Sequence, residues 1–226
     1  RSMAFMSSVR VTAKPDRKQA ILLSAERLFA QKGYHAVSIR QIADDAGVPL
    51  ALVGYYFGPK QDLFHAIFAH WNSTIEERLA ALAQARNAPL VNRIESIVEA
   101  FVGPVLRLRA SAEGEYYALL VARELAHATV EADRVLRDYF DPLAHAFIDA
   151  IQTAAPEASR AQVAWCYQFA LGSLLHHLSD NRVERLSRDT AQANDPAATP
   201  LLTRYMAGGM RAVLHNGPHS APISTP

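Results

Sequence analysis

Two helical signals are crowded into the stretch SIRQIADDAGVPLALVGYYFGPKQDLF, residues 38–64, with only a glycine-containing turn between them. Ser38 with Gln41 three residues on is a capping box, in which each side chain satisfies a helix-end N–H of the other residue. It opens a helix that ends near Ala46-Gly47, and a second helix runs from Pro49 to Phe57-Gly58. Helices this short are unstable alone, because nucleation fixes several residues for one hydrogen bond. They need a platform to lie on. A preceding helix from Pro15-Asp16 to Gly33 supplies one, through the stripe Ala20, Ile21, Ser24, Ala25, Leu28 and Phe29. Ile39, Ile42, Ala43, Val48 and Val53 are the positions expected to face that small core. Gly47 is expected to adopt a left-handed conformation that a Cβ would penalise. Two helices joined by such a turn form a helix-turn-helix, whose second helix enters the DNA major groove.

The rest of the chain also reads as helix. Val, Ile and Thr never alternate with polar residues over a strand's length, and no Asn-Gly or Asp-Gly hairpin signal occurs. One long helix is predicted from Pro59-Lys60 to the break at Arg86–Pro89, with Leu63, Phe64, Ile67, Trp71, Ile75 and Leu79 on one face. Others follow to Arg109, through YYALLVAREL, and from Thr129 to Ala154, where Pro142 should introduce a kink. A second capping box, Ser159 with Gln162, launches a helix that is apolar around much of its girth. A polar linker over residues 187–200 precedes a last helix to Leu214. The fold class is therefore all-α: an N-terminal three-helix head and a C-terminal helical body. The expected division is 1–60 for the arm and head, 61–215 for the body and 216–226 for a disordered tail.

Charge separates the same two parts. Residues 1–60 hold nine Lys and Arg against four Asp and Glu, whereas residues 61–226 hold fourteen against eighteen. All four lysines (Lys14, Lys18, Lys32 and Lys60) fall in the first part. A basic head on an acidic body suits a polyanion at the head. No apolar run approaches the roughly 18 residues of a membrane span. The N-terminus lacks the basic-then-apolar layout of a secretory signal, with no weight placed on the opening RSMAFM, and a single cysteine, Cys166, excludes an internal disulfide. A cytoplasmic protein is the expectation, with no membrane partner and no cofactor.

Residues 16–64 resemble the DNA-binding domain of the TetR/AcrR-type transcriptional repressors. The resemblance rests on Phe29-Ala-Gln-Lys-Gly33-Tyr34, Ser38, Ile42-Ala43, Ala46-Gly47-Val48, Tyr55, Phe57-Gly58, Lys60 and Leu63 at the family's spacings. It implies a phosphate or base contact for Arg40, whose planar fork suits either. It implies a cap for Ser38 that also donates to a phosphate, and backbone contacts for Tyr55 and Tyr56, with packing as the competing role for one of that pair. Tyr56 stands where the family more often has His. Lys60 resembles a phosphate-binding lysine at a helix N-terminus. Pro49, Leu50 and Ala51 form the exposed start of the second short helix. None makes a bidentate bond to a base, although Leu50 and Ala51 suit thymine methyls. Base reading should be sparse, with phosphate contacts and DNA shape carrying more of the specificity. An arm with Arg10, Lys14, Arg17 and Lys18 adds either phosphate contacts or solubility.

The family resemblance further implies a two-fold homodimer on palindromic double-stranded operator DNA, and a small-molecule effector. Val163, Leu171, Leu174, Leu175, Tyr205, Met206 and Met210, on the last two long helices, are the candidate dimer interface. Filling the monomer's own core is their alternative role. Tyr116, Tyr117, Arg123, His127, Phe140, His145, Trp165, Phe169 and His176 are the candidate pocket residues, polar or aromatic groups embedded in apolar helices. They suit an apolar or aromatic effector, with Arg123 opposite any acidic group.

Two other readings compete. A helical adaptor for other proteins would explain the apolar stripes but not Lys60, the tyrosine pair or the basic head. A helical enzyme finds no support, since no P-loop, dinucleotide glycines, Gly-x-Ser-x-Gly or His-Glu-x-x-His occurs. Cys166 sits in an apolar helix and reads as packed rather than nucleophilic. His176 and His177 point apart on a helix and do not make a metal site.

Overall fold

The computed structural model describes residues 16–127 and 129–215, and every regular element among them is helical. Helix α1 (Arg17–Lys32) begins where the Asp16 carboxylate accepts the Lys18 N–H at 3.0 Å. It stops at Gly33, whose φ of +84° is open to glycine at little cost. Helix α2 (Ile39–Asp45) carries the expected capping box: Gln41 N–H donates to Ser38 Oγ at 3.2 Å and Ser38 N–H to Gln41 Oε1 at 2.7 Å. Gly47 has the expected positive φ, +65°, and leads into α3 (Leu50–Phe57). Ile42, Ala43 and Val53 are buried, and Ile39 and Val48 pack at the edge of the same core. Helix α4 (Lys60–His70) closes it from above with Leu63, Phe64 and Ile67, the Phe64 ring standing edge-on to Phe29 at 5.6 Å.

The body comprises α5 (Asn72–Ala85), α6 (Leu90–Ala110), α7 (Glu115–His127), α8 (Val130–Val135), α9 (Asp141–Ala154), α10 (Arg160–Ser179), α11 (Val183–Leu186) and α12 (Thr199–His215). Helix α6 lies at its centre, against α5, α7, α9 and α12. One apolar core runs without a break from head to body. Among the described residues no helix is long and apolar enough to cross a membrane.

Two expectations are corrected. The long helix predicted from Pro59 to Arg86 is two helices, α4 and α5, parted at Trp71. No glycine or proline marks the break. The Trp71 carbonyl accepts the Thr74 hydroxyl at 2.7 Å, and its indole is drawn toward α1. The helix around Pro142 is not simply kinked. It widens into a π turn over Leu136–Phe140, and α9 restarts with Pro142 in its first turn. Proline offers no N–H, and the wider turn relieves the clash of its ring with the preceding carbonyls. The linker over residues 187–200 contains a short 3-10 turn, Pro196–Ala198, anchored by Asp195 accepting the Ala197 N–H at 2.8 Å. The arm residues Arg10 and Lys14 and the tail lie outside the described residues.

Candidate nucleic-acid interface and interior cavity

Val53 anchors α3 in the head core and turns the opposite surface outward. Pro49, Leu50, Ala51, Gly54, Tyr55 and Tyr56 are all exposed, Tyr55 at 79%. The two phenol rings meet edge to face at 5.2 Å, which orients them without burying them. Ser38 and Arg40, at the start of α2, are exposed as well. An ion pair between Arg27 and Asp45 ties α1 to α2 and holds the Asp45 carboxyl below its usual range.

Lys60 is placed differently from the other candidates. Its Nζ donates to the Tyr34 carbonyl at 2.5 Å and lies 4.1 Å from the centre of the Tyr34 ring. Burial lowers its pKa. In this conformation Lys60 pins the loop after α1 to the start of α4.

A narrow cavity of about 40 Å³ opens in the body between α5, α6, α7, the π turn and α10. Two of the candidate pocket residues, Tyr117 and Phe140, line it. So do Leu171, Leu174 and Leu175, which the sequence assigned to a dimer interface. The remaining candidates are scattered. Tyr116 lines a separate surface groove beside Glu26 and His70. Arg123 packs over the end of α1, so that a Cβ at Gly33 would sit 2.8 Å from its Nη2. His145 and His176 are exposed. The side chain of His127 lies outside the described residues.

The cavity holds a residue that the sequence reading missed. Arg78 on α5 is only 8% exposed and lines a space that is apolar but for Thr74 and Tyr117. Its guanidinium lies 5.3 Å from the Phe101 ring and 5.8 Å from the Phe147 ring. Its Nε–H is buried without an acceptor. The charged-looking run Glu76-Glu77-Arg78 hid it. The available signal was its place between Ile75 and Leu82, at the spacing of a buried helical stripe.

Beside Arg78, the cavity wall leads to the head. The Tyr117 ring stacks on Trp71 at 5.2 Å, with 14° between planes. The Trp71 indole N–H donates to Glu26 of α1 at 2.7 Å. Burial pushes the Glu26 carboxyl up to about 7, against the opposing pull of that indole and of a backbone hydrogen bond from Tyr117. Burial also raises the Tyr117 phenol. On the other side, Phe140 lines the cavity two residues from Asp138, whose carboxylate lies 2.8 Å from His65 Nε2 on α4.

The last two long helices divide their apolar residues. Val163, Met206 and Met210 are buried within the monomer. Trp165 and Phe169 are 60% and 62% exposed and stack on each other at 5.6 Å. Leu201 and Tyr205 are exposed on α12, and a groove of about 550 Å³ lies between the helices beside Gly208 and Gly209. Trp165 and Phe169, expected in a pocket, therefore stand outside the cavity.

Comparison with known proteins agrees with this arrangement. Residues 21–67 match the model of bacterial regulatory proteins of the tetR family, and residues 99–209 match a tetracyclin repressor-like C-terminal domain. The chain is 34% identical over 89 residues to the transcriptional regulator BetI of Brucella suis biovar 1, which is 39% of this chain and 44% of that protein. It is 29% identical over 90 residues to the transcriptional activator FasR of Mycolicibacterium smegmatis, which is 39% of this chain and 40% of that one. The chain thus aligns with less than half the length of these curated relatives. In fold it is similar to AmtR of Mycobacterium smegmatis, with a TM-score of 0.58 and 21% identity over 92% of this chain and 91% of that one. It is similar likewise to the fatty acid degradation regulator FadR of Bacillus halodurans, with a TM-score of 0.57 and 17% identity over 88% and 99%. With one family's models matched in both head and body, and the all-helical fold to go with them, the chain belongs to the TetR family of bacterial regulatory proteins.

Proposed function

We propose that this chain is a ligand-responsive repressor of transcription. It binds palindromic operator DNA as a homodimer in the cytoplasm and leaves it when a small apolar or aromatic effector enters the body. The observation that carries this reading is the outward surface of α3, where Leu50, Ala51, Tyr55 and Tyr56 stand exposed on a helix anchored by a fully buried Val53. A helix so placed enters a major groove, with Arg40 and Ser38 at the adjoining phosphates. The stacked Trp165 and Phe169, with Leu201 and Tyr205, offer the surface on which a second copy pairs.

The proposed response begins with the size of the cavity. About 40 Å³ admits a water or two and no drug-sized molecule. An effector therefore has to spread α5, α7 and the π turn apart. Tyr117 carries that displacement to Trp71 and Glu26, and Phe140 carries it to Asp138 and His65. Both routes end on the joint of α1 and α4 with the body, so the heads change their separation. Coupling of this kind is reciprocal, and operator DNA must weaken effector binding by the same factor.

Selection of duplexes from a random pool by the purified chain tests the reading. The expected product is an inverted repeat, bound with an affinity that falls steeply with salt. Failure to retain duplexes even at low ionic strength would remove it.

A further inference from the structure

We infer that Arg78 is the receptor for a single carboxylate, and that the molecule the cavity takes is a monocarboxylate with a slim apolar tail. The inference rests on the cavity being the effector site proposed above. Apart from Arg78, Thr74 and Tyr117, the residues that line the cavity are all apolar, among them Val105, Val121, Leu125 and Leu174. A cation in such a place is costly to hold without an anion. The titratable groups that act on Arg78 are the phenols of Tyr117 and Tyr167, not carboxylates. Phe101 and Phe147 lie near its guanidinium, and the Nε–H on its edge lacks an acceptor. The edge of a guanidinium is the part that pairs with a carboxylate through two parallel hydrogen bonds.

The charge count sets the class. One buried cation neutralises one negative charge, so a doubly charged phosphate would leave an excess in a low-dielectric space. A neutral alcohol would bring no charge to offset that of Arg78. The narrow remainder of the wall, largely aliphatic apart from Tyr117 and Phe140, suits an unbranched chain better than a fused ring system. Arg123, the cation that the sequence placed opposite an acid, packs over Gly33 instead. The acid-binding role moves from α7 to α5.

Calorimetric titration of the full chain with octanoate, decanoate and dodecanoate, each beside the primary alcohol of equal length, tests this. The carboxylates should bind about ten-fold or more tightly than their alcohols, the usual worth of a charge-assisted hydrogen bond. Arg78→Met should abolish that preference and keep the alcohol affinity. Arg78→Lys, which keeps the charge but not the fork, should keep part of it. Equal binding of acid and alcohol by the unmodified chain overturns the inference, as does no binding of either, or a preference that survives in Arg78→Met. The comparison on the unmodified chain decides even where a variant does not fold. The same ligands added to a complex with selected operator DNA separate the two readings. Carboxylate-selective binding that leaves duplex affinity unchanged removes the regulatory reading and keeps the Arg78 site. Release of DNA by acid and alcohol alike does the reverse.

Discussion

The indole N–H of Trp71 reaches the buried carboxylate of Glu26 across the joint between head and body, at 2.7 Å. Trp71 is also the residue at which α4 gives way to α5, and its ring stacks on Tyr117 in the cavity wall. One side chain thus touches the helix that carries the head, the break between two helices and the wall of the cavity. A polar bond in that position has discrete made and broken states, which a continuous apolar contact does not.

Replacing Trp71 with Phe should separate response from binding. The ring contact with Tyr117 survives, but the Glu26 oxygen that faces the indole loses its donor, leaving only the backbone hydrogen bond from Tyr117. An unsatisfied buried acceptor costs about 1–3 kcal/mol, which thermal unfolding would register as a lowered Tm. Operator affinity of the ligand-free chain should change little, while its loss on effector binding should shrink. Equal effector responses in Trp71→Phe and the parent would exclude the indole from the route.

Stability should fall as pH rises, because of Glu26. Its carboxyl is raised from 4.5 to about 7, so between those values the folded chain binds more protons than the unfolded one. The stabilisation is full below pH 4.5 and is lost as pH climbs through about 7. Its ceiling is on the order of 3 kcal/mol. Arg27, His70 and Glu113 line the same groove. Glu26→Gln keeps an acceptor for the indole and removes the titration. The variant's denaturation midpoint should hold steady over that window while the parent's declines. Parallel curves would show that Glu26 is ionised throughout.

Arg40 and Lys60 should respond differently to truncation. Arg40 is exposed on α2, and Arg40→Ala should weaken operator binding, reduce the salt slope by about one and leave Tm unchanged. Lys60 holds the Tyr34 carbonyl, so Lys60→Ala should lower Tm as well as affinity. A Lys60→Ala chain with parental Tm would mean that the Tyr34 contact contributes nothing.

Trp165→Glu and Phe169→Glu should yield monomers in analytical ultracentrifugation with little change in helicity, because both residues are already mostly in water within one chain. Operator affinity should fall sharply, since each head alone grips only half a site. A dimer that persists in both variants would place the interface elsewhere.

Local signals made the head legible. Capping residues, Gly33, Gly47 and the spacing of Ile42, Ala43 and Val53 fix its helices within a few turns of chain, and all of them take the predicted places. The body yielded its helices but not its interior. Leu171, Leu174 and Leu175 read as a stripe, and a stripe does not say whether it faces a partner, the core or a void. Trp165 and Phe169 look like pocket residues by type, yet α10 is apolar on several sides and its rotation is set by packing on α7 and α9. The Trp71 indole, at the break between α4 and α5, is held by a residue 45 positions away, which no local pattern encodes. Arg78 was hidden for a similar reason, since its burial follows from Phe101 and Phe147 on distant helices.

On the proposed pairing, leaving the Trp165–Phe169 stack in water would tie the regulator's output to its own abundance. Two chains must meet before two heads can grip an inverted repeat together. At low copy number the supply of paired heads therefore scales with the square of chain concentration. Halving the number of chains then removes roughly three quarters of the pairs, by mass action alone. Under that reading, dilution during cell growth would be a derepressing signal in its own right, and a steep one, before any small molecule arrives.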